Sequence, residues 1–193
     1  MKRLFDLFFS ITGLLVLLPL FLVVALAIKL DSRGPVFFRQ ERIGRHFKPF
    51  RIYKFRTMIS GASQKGSSIT VGGDNRVTRM GRFLRKAKID ELSQLINVLK
   101  GEMSFVGPRP EVGKYVELFK SDYQKLLSVR PGITDPASIY YADEEDVLSR
   151  SADWEKEYSS KILPEKIKLA SQYVDNHNLL IDLRLILKTI FRI

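Results

Sequence analysis

The sequence predicts an α+β fold in which a membrane-associated helix precedes a small β-hairpin region and a mainly helical domain. Three observations support this: an uncharged N-terminal run, a β-rich stretch around a glycine, and helical periodicity in much of the remainder. With 45% hydrophobic and 27% charged residues, the chain of 193 residues is neither a disordered tail nor a polytopic membrane protein. The absence of cysteine excludes disulfides and thiol chemistry, and two histidines disfavour a histidine-rich zinc centre.

The uncharged run covers residues 7–28 and reads LFFSITGLLVLLPLFLVVALAI. As a straight helix it would extend about 33 Å, enough to cross the apolar core of a bilayer. Pro19 lies near the middle, where it removes a backbone hydrogen bond and bends a helix. Basic residues flank both ends, and the positive-inside rule draws both to one side. The residues leave three interpretations open: a re-entrant helix, a plain span, and a signal peptide cleaved after Ala25-Leu26-Ala27.

Positive charge is concentrated in one segment of the chain. The formal net charge is +11, yet residues 29–90 contain 16 Lys and Arg against four Asp and Glu, whereas residues 91–193 contain 14 against 16. Such a segment suits nucleic acid, anionic lipid headgroups or a phosphorylated substrate. At the other end, Arg184, Lys188 and Arg192 form one stripe of an otherwise apolar helix. That pattern predicts a membrane-surface helix or a helix packed on the core.

Residues 34–58 predict two strands around a turn near Gly44, because Phe, Val, Ile and Tyr dominate there. Alternation places Lys54 and Arg56 on one face, where they either hold phosphates or are solvated strand charges. The following residues, 60–73, are rich in Gly and Ser and predict a loop.

Two adjacent carboxylates, Asp90 and Glu91, stand out after a run of cations at positions 79, 82, 85 and 86. Residues 90–101, DELSQLINVLKG, predict an amphipathic helix that begins at Asp90 and is capped by Gly101. The ordinary interpretation of Asp90 is a helix N-cap. Adjacent helical residues diverge by about 100°, which excludes the facing carboxylates of a glycosidase. The pair suits one centre with two roles, an ionised nucleophile and a ligand for a divalent cation.

Residues 104–110, SFVGPRP, hold Arg109 between two prolines and after Gly107. This predicts a rigid mount for a guanidinium, the group best shaped for a forked phosphate contact; the alternative is a plain loop with an exposed arginine. Arg130-Pro131-Gly132 repeats the pattern more weakly. The acidic run 143–146 predicts a solvated surface.

Four separated motifs share their order and spacing with a known family: GPVFFRQERIG, YKFRTM, RVTRMGRFLRKAKIDELSQLINVLKGEMSFVGPRP and RPGIT. Through them the chain resembles the bacterial sugar transferase family, the monotopic phosphoglycosyl transferases, from about Lys2 to the C-terminus. The resemblance implies a re-entrant membrane anchor helix broken at Pro19, residues 1–30. It also implies a cytoplasmic, membrane-associated catalytic domain, residues 31–193, with amphipathic membrane-surface helices at the bacterial inner membrane. The chain resembles the minimal catalytic unit of the family, without the extra N-terminal transmembrane domain of larger members.

The resemblance also implies a reaction. A sugar 1-phosphate passes from a UDP-sugar to polyprenol (undecaprenyl) phosphate with release of UMP, in a ping-pong mechanism with Mg²⁺, as the first membrane-committed step of a surface glycan pathway. By the family pattern Asp90 attacks the phosphorus and becomes a covalent phosphosugar intermediate, and Asp90 and Glu91 are the metal ligands. Arg85 and Arg109 would hold phosphate. The remaining expected substrate-binding residues are Lys54, Arg56, Arg79 and Arg130.

Two departures from the family pattern limit what carries over. Ser93 stands where many members have proline, and residues 133–148, ITDPASIYYADEEDVL, replace a Gly-Trp or Gly-Leu pattern followed by Gln. The identity of the sugar is therefore not predicted, nor is the oligomeric state. Two rival functions are a membrane-tethered basic module that binds anionic lipid or nucleic acid, and a phosphohydrolase that uses the same carboxylates and magnesium with water as acceptor. The phosphoglycosyl transferase interpretation predicts no nucleic-acid partner.

Overall fold

A computed structural model describes residues 2–62 and 74–191 and has the predicted mixed α+β architecture, mostly helical. The strands are β1 (Phe37–Ile43), β2 (Pro49–Phe55), β3 (Ser104–Val106) and β4 (Gly132–Thr134). The helices are α1 (Lys2–Val16), α2 (Leu18–Asp31), α3 (Arg79–Lys86), α4 (Leu95–Lys100), α5 (Gly113–Leu118), α6 (Lys120–Leu126), α7 (Pro136–Tyr140), α8 (Glu144–Ser149), α9 (Trp154–Glu157), α10 (Leu163–Asn176) and α11 (Leu179–Phe191).

The N-terminal run forms two helices, α1 and α2, which are bent by 60° relative to each other. They meet at Leu17, and Pro19 lies in the first turn of α2, where it has no N–H to donate to the preceding turn. The predicted break at the proline is confirmed. Within the described residues no single helix is long and apolar enough to cross a membrane, although the bent pair together meets that requirement of length and composition.

The bent pair buries one side and exposes the other. Val24 and Ile28 of α2 pack against Phe55 of β2 and Leu84 of α3 in a small apolar core. The outer side carries a row of exposed apolar side chains that no other described element covers: Leu4, Phe8, Leu15, Val16, Leu22, Val23, Leu26 and Leu30. An apolar surface of this extent is typical of a contact with lipid or with another protein.

The predicted hairpin is confirmed. Strands β1 and β2 pair antiparallel from Phe37 opposite Phe55 to Ile43 opposite Pro49. The chain turns at Gly44 and a short 3-10 turn, Arg45–Phe47. The loop predicted for residues 60–73 lies outside the described residues from position 63 onwards.

Strands β3 and β4 form a parallel pair that sequence patterns did not predict. The two chains approach so closely that a Cβ on Gly107 would lie 2.3 Å from the carbonyl oxygen of Arg130. A Cβ on Gly132 would lie 2.1 Å from the backbone nitrogen of Gly107. Only glycine fits at both positions, so the segment before Arg109 and the segment after Arg130 lie side by side.

The C-terminal half supplies the largest core, in which buried side chains of α5, α6, α10 and the intervening turns pack together: Tyr115, Val116, Tyr123, Leu126, Leu127, Leu148, Tyr158, Ile162, Leu163, Ile167 and Ala170. Helix α11 contacts β3 and β4 and buries Asp182, which accepts hydrogen bonds from Lys2 and from the hydroxyl of Tyr173. Its opposite side exposes Leu180, Leu187, Ile190 and Phe191. The helix therefore packs on the body through one face and leaves an apolar face open; Arg192 of the predicted basic stripe lies outside the described residues.

Candidate active site

Asp90 and Glu91 lie in a short 3-10 turn, Ile89–Gln94, that leads into α4. The chain enters this turn through Lys88, whose φ of 55° places it in the left-handed region. The expectation that Asp90 begins and caps a continuous helix is wrong, because no side chain caps either the turn or α4. The predicted C-cap at Gly101 is confirmed, with a left-handed φ of 83°.

The carboxylate of Asp90 is buried and incompletely paired. The residue is 7% exposed, and its Oδ1 has no hydrogen-bond partner among the residues that the structure describes. Burial raises the pKa of Asp90 well above its ordinary value; Lys54, Arg85 and Lys88 oppose the rise, and the charge of Glu91 adds to it. Such an unpartnered buried oxygen is costly to stability and is available to a ligand or to an electrophile.

Glu91 has the opposite environment. Its Oε1 accepts a hydrogen bond from Lys54 at 2.7 Å and one from Arg109 at 2.5 Å, while its Oε2 accepts a second from Arg109 at 3.3 Å. Burial raises the pKa of Glu91, but the charges and hydrogen bonds of Arg109 and Lys54 outweigh burial and hold the pKa well below its usual value. Glu91 in turn raises the pKa of Arg109. Two neighbouring carboxylates with divergent pKa values are typical of a catalytic centre.

The turn that carries the pair is fastened to β2 by buried polar side chains. Asn97 accepts a hydrogen bond from the backbone N–H of Tyr53 at 2.9 Å and donates one to the carbonyl of Arg51 at 2.9 Å. The Ser93 hydroxyl donates to the carbonyl of Tyr53 at 3.1 Å. Because Lys54 follows Tyr53, these contacts set the distance between Lys54 and Glu91. Proline at position 93 could not make the Ser93 contact.

Arg109 reaches Glu91 from the turn that follows β3. Gly107 donates its N–H to the carbonyl of Thr134 at 3.1 Å, and Gly132 donates to the carbonyl of Pro108 at 3.1 Å. The N–H of Arg109 itself donates to Asp135 Oδ2 at 3.3 Å. The pairing of β3 with β4 thus holds the two residues that precede the arginine.

Arg85 is the third predicted cation close to the pair. Its Nε donates to the Thr57 hydroxyl at 2.9 Å, and its Nη1 contacts Glu145 at 3.1 Å. Its charge also lowers the pKa of Asp90. The structure therefore brings Lys54, Arg85 and Arg109 together around the two carboxylates.

Three other predicted cations make their contacts elsewhere. The buried Arg56 donates to the carbonyl of Ile28 at 3.3 Å and to that of Ser32 at 2.6 Å, which fastens the end of α2 to the hairpin. Arg130 donates to the carbonyl of Gly101 at 2.8 Å. Arg79 is exposed at the start of α3.

Sequence reasoning missed the supporting residues Thr57, Asn97, Asp135 and Glu145. Asn97 sits within an apolar helical pattern, where a buried amide is a signal that could have been noticed. Asp135 stands before a proline, a usual position for a helix N-cap, and it accepts the N–H of Ser138 in that role. Glu145 belongs to the acidic run assigned to solvent; it contacts Arg85, and Glu144 contacts Lys166.

A divalent cation would find a limited set of ligands here. The described residues contain no cluster of three or more His, Asp or Glu side chains that could hold a metal. Mg²⁺, however, is usually bound through one or two carboxylates together with substrate phosphates and water. The unpartnered Oδ1 of Asp90 fits that requirement, whereas both oxygens of Glu91 are already paired with cations.

Comparison with known proteins agrees with this architecture. Residues 1–193 match the family described as bacterial sugar transferase. The chain is 39% identical over 195 residues to a UDP-N-acetylgalactosamine-undecaprenyl-phosphate N-acetylgalactosaminephosphotransferase of Aeromonas hydrophila, covering 98% of this chain and 42% of that relative. It is 39% identical over 204 residues to the exopolysaccharide production protein PSS of Rhizobium leguminosarum bv. phaseoli, covering 98% and 93%.

A third relative, an undecaprenyl-phosphate glucose phosphotransferase of Komagataeibacter xylinus, is 40% identical over 198 residues, covering 99% of this chain and 35% of that relative. The chain thus spans less than half the length of two of these relatives and most of the length of the other. A match over the whole chain, with three relatives aligned over nearly all of it, establishes the family. The protein belongs to the bacterial sugar transferase family.

Proposed function

We propose that this protein transfers a sugar 1-phosphate from a UDP-sugar to undecaprenyl phosphate and releases UMP, with Asp90 as the nucleophile. The observation that carries the proposal is the buried Asp90 carboxylate, whose Oδ1 has no partner within residues 2–62 and 74–191, beside a Glu91 that is paired with two cations. The names of the Aeromonas hydrophila and Komagataeibacter xylinus relatives support the donor class and the lipid acceptor.

The first half-reaction forms a covalent intermediate on Asp90. A carboxylate oxygen attacks the phosphorus that bears the sugar, the bond from that phosphorus to the bridging oxygen of the diphosphate breaks, and UMP leaves with the bonding electrons. In the second half-reaction, a phosphate oxygen of the lipid attacks the same phosphorus. The bond to Asp90 breaks and the carboxylate is regenerated. No oxidant, reductant or water is consumed.

The surrounding cations offset the repulsion between a carboxylate and an anionic diphosphate. Arg109, Lys54 and Arg85 form a preorganised positive environment, which is the largest contribution that a protein makes to phosphoryl transfer. Glu91 keeps Arg109 and Lys54 in place through three hydrogen bonds and remains ionised. Mg²⁺ held at Asp90, next to Glu91, would supply further positive charge to the phosphates.

The same proposal includes a re-entrant anchor in the cytoplasmic leaflet of the bacterial inner membrane. Both ends of the bent helix pair contact one body: Lys2 lies 2.6 Å from Asp182, and Arg56 binds the carbonyl of Ser32 at 2.6 Å. A straight span would separate its ends by about 33 Å and place them on opposite sides of the bilayer. The exposed apolar faces of α1, α2 and α11 would then lie in lipid, which brings the acceptor phosphate to the centre.

The test is release of UMP from UDP-glucose, UDP-N-acetylglucosamine and UDP-N-acetylgalactosamine by the full chain in nanodiscs with Mg²⁺. Wild type, Asp90→Asn and the control Asp143→Asn, an exposed acid, run in parallel with intact-mass measurement. We expect a sugar-phosphate adduct on wild type and on the control, discharged by undecaprenyl phosphate, and none on Asp90→Asn. An adduct on Asp90→Asn, or UMP release by it at the wild-type rate, would refute the nucleophile. Release of UMP and free sugar phosphate without the lipid would instead identify a phosphohydrolase.

A further inference from the structure

Asp135 is a buried carboxylate that lies outside the reacting pair and contacts the backbone of a residue within the centre. It is 1% exposed and directly precedes α7. Its two oxygens have separate partners: Oδ1 accepts the N–H of Ser138 at 2.7 Å, and Oδ2 accepts the N–H of Arg109 at 3.3 Å. One carboxylate therefore joins the start of α7 to the turn that presents Arg109.

The chain on either side of Arg109 has its own contacts. After Arg109, the carbonyl of Pro110 accepts a hydrogen bond from Arg42 at 3.2 Å, and the carbonyl of Glu111 accepts the N–H of Ile43 at 2.9 Å. Asp135 contacts the backbone of Arg109 itself. Strand β4 ends at Thr134, whose carbonyl accepts the N–H of Gly107, and Asp135 is the next residue. Thr134 thus binds the chain before Arg109, and Asp135 binds Arg109 itself. The guanidinium beyond them makes the forked contact with Glu91. A shift of this backbone would move the guanidinium relative to Glu91.

A neutral amide cannot replace this carboxylate. Asparagine has one acceptor oxygen and an NH₂ group, and an NH₂ group directed at a backbone N–H accepts nothing from it. Since the Ser138 contact is the shorter one and starts a helix, asparagine would keep that contact and lose the one to Arg109. Making both contacts, to Ser138 and to Arg109, requires a side chain with two acceptor oxygens.

We propose that Asp135 is a positioning residue for the transfer reaction, and that it acts by holding the backbone of Arg109 so that the guanidinium stays on Glu91 and faces the donor diphosphate. This rests on the proposed function.

The experiment is a double-mutant cycle on the full chain in nanodiscs. Asp135→Asn and Asp135→Ser are each made in two backgrounds, one with Arg109 unchanged and one with Arg109→Ala. Formation of UMP and of the covalent adduct is then measured in a single turnover, with the donor that wild type uses. The serine variant can still cap α7 through its hydroxyl, so it separates loss of the Arg109 contact from loss of the helix start. Asp143→Asn is the control, with the same charge change at an exposed position eight residues further along the chain.

A second readout does not depend on activity. Phenylglyoxal modifies accessible guanidinium groups, and peptide-resolved mass spectrometry reports Arg109 separately from Arg150, which is exposed in the loop after α8. We expect both Asp135 variants to increase the labelling rate of Arg109 severalfold, because the guanidinium spends less time on Glu91. Labelling of Arg150 should stay at the wild-type rate, and Asp143→Asn should change neither arginine.

In the cycle, we expect the Asp135 variants to lower the adduct-forming rate about tenfold when Arg109 is present, the size of one lost hydrogen bond. The loss should be less than twofold in the Arg109→Ala background, since the variants act through that side chain. Equal losses in both backgrounds, or unchanged Arg109 labelling, would overturn the proposal. If wild type releases UMP from no donor, the proposed function fails, and faster Arg109 labelling would then support only the link between Asp135 and Arg109.

Discussion

Glu91 and Arg109, which are 18 positions apart, form a forked ion pair with contacts of 2.5 and 3.3 Å. The pair explains how two adjacent carboxylates in one buried turn differ in their chemistry. Glu91 is paired with cations and stays ionised, whereas Asp90 has an oxygen that no described side chain or backbone group contacts through a hydrogen bond. The centre therefore contains one carboxylate that is paired with cations and one, Asp90, that we propose as the nucleophile.

Asp90→Asn should stabilise the protein at neutral pH. Burial raises the pKa of Asp90 from 3.8 to about 6, so the folded state holds the proton more tightly than the unfolded state does. The cost of the ionised carboxylate is absent below the unfolded pKa, grows as the pH rises towards about 6, and is constant above that. We expect the variant to gain about 1–3 kcal/mol in the free energy of unfolding at pH 7.5 and almost nothing at pH 4. Thermal unfolding midpoints of both proteins across this range measure the difference. A variant less stable than wild type at pH 7.5 would contradict the electrostatic account.

The pH dependence of donor turnover should report the same group. The nucleophile must be ionised, so kcat/KM for the donor should fall as the pH drops through about 6, the pKa of Asp90. Glu91 does not contribute to this limb, because Arg109 and Lys54 keep its pKa far lower. A profile that is flat down to pH 5 would show that Asp90 has an ordinary pKa or does not react.

Removing the charge of Lys54 should move that limb to higher pH. Lys54 lowers the pKa of Asp90 and binds Glu91 at 2.7 Å. Lys54→Met should therefore raise the pH of the acid limb and lower turnover at pH 7.5 about tenfold, while Lys54→Arg should keep the limb in place. Arg51→Gln is the matched control, an exposed cation on the same strand. An equal displacement of the limb in the Arg51 variant would indicate a general surface-charge effect instead.

Pro19→Ala should weaken the re-entrant arrangement. Alanine restores the backbone N–H that proline lacks, so the 60° bend loses its cause and the helices favour a straighter path. A cysteine placed ahead of Met1 can be labelled in sealed vesicles, because the chain has no cysteine of its own. In wild type it should react from the side that holds the body; in Pro19→Ala a fraction should react from the opposite side, and in the control Pro35→Ala none should. Labelling of wild type from the opposite side would exclude the re-entrant anchor.

Features caused by residues close together in the sequence could be predicted, whereas features caused by residues far apart in the sequence could not. Alternating apolar residues around Gly44 predicted the hairpin, Pro19 predicted the bend, and Gly101 predicted a C-cap; each of these is a local property of the chain. The start of the turn that carries Asp90 and Glu91 was predicted wrongly, because Lys88 takes a left-handed conformation that lysine rarely adopts. Nothing in the pattern signals that residue, and it converts an expected helix start into a 3-10 turn.

The predicted phosphate-binding cations also show what the sequence could predict and what it could not. Charge and spacing selected Lys54, Arg56, Arg79, Arg85, Arg109 and Arg130 as equals. Only folding distinguished the three that surround the carboxylates from Arg56, which fastens α2, and from Arg79 and Arg130. Burial also decides the state of each group, because the same carboxyl that would ionise freely in water gains a raised pKa at 7% exposure.

The sequence by itself determined the elements whose causes lie within a few residues: the uncharged run and its proline break, the hairpin, the basic segment, and the motifs that identify the family. Tertiary structure alone decided which groups act together. Lys54 meets Glu91 across 37 positions, and Lys2 meets Asp182 across 180. Parallel pairing of β3 with β4 brings Asp135 to Arg109. Contacts between such distant positions depend on the packing of the whole chain. That packing gives the adjacent carboxylates Asp90 and Glu91 different partners and pKa values shifted in opposite directions.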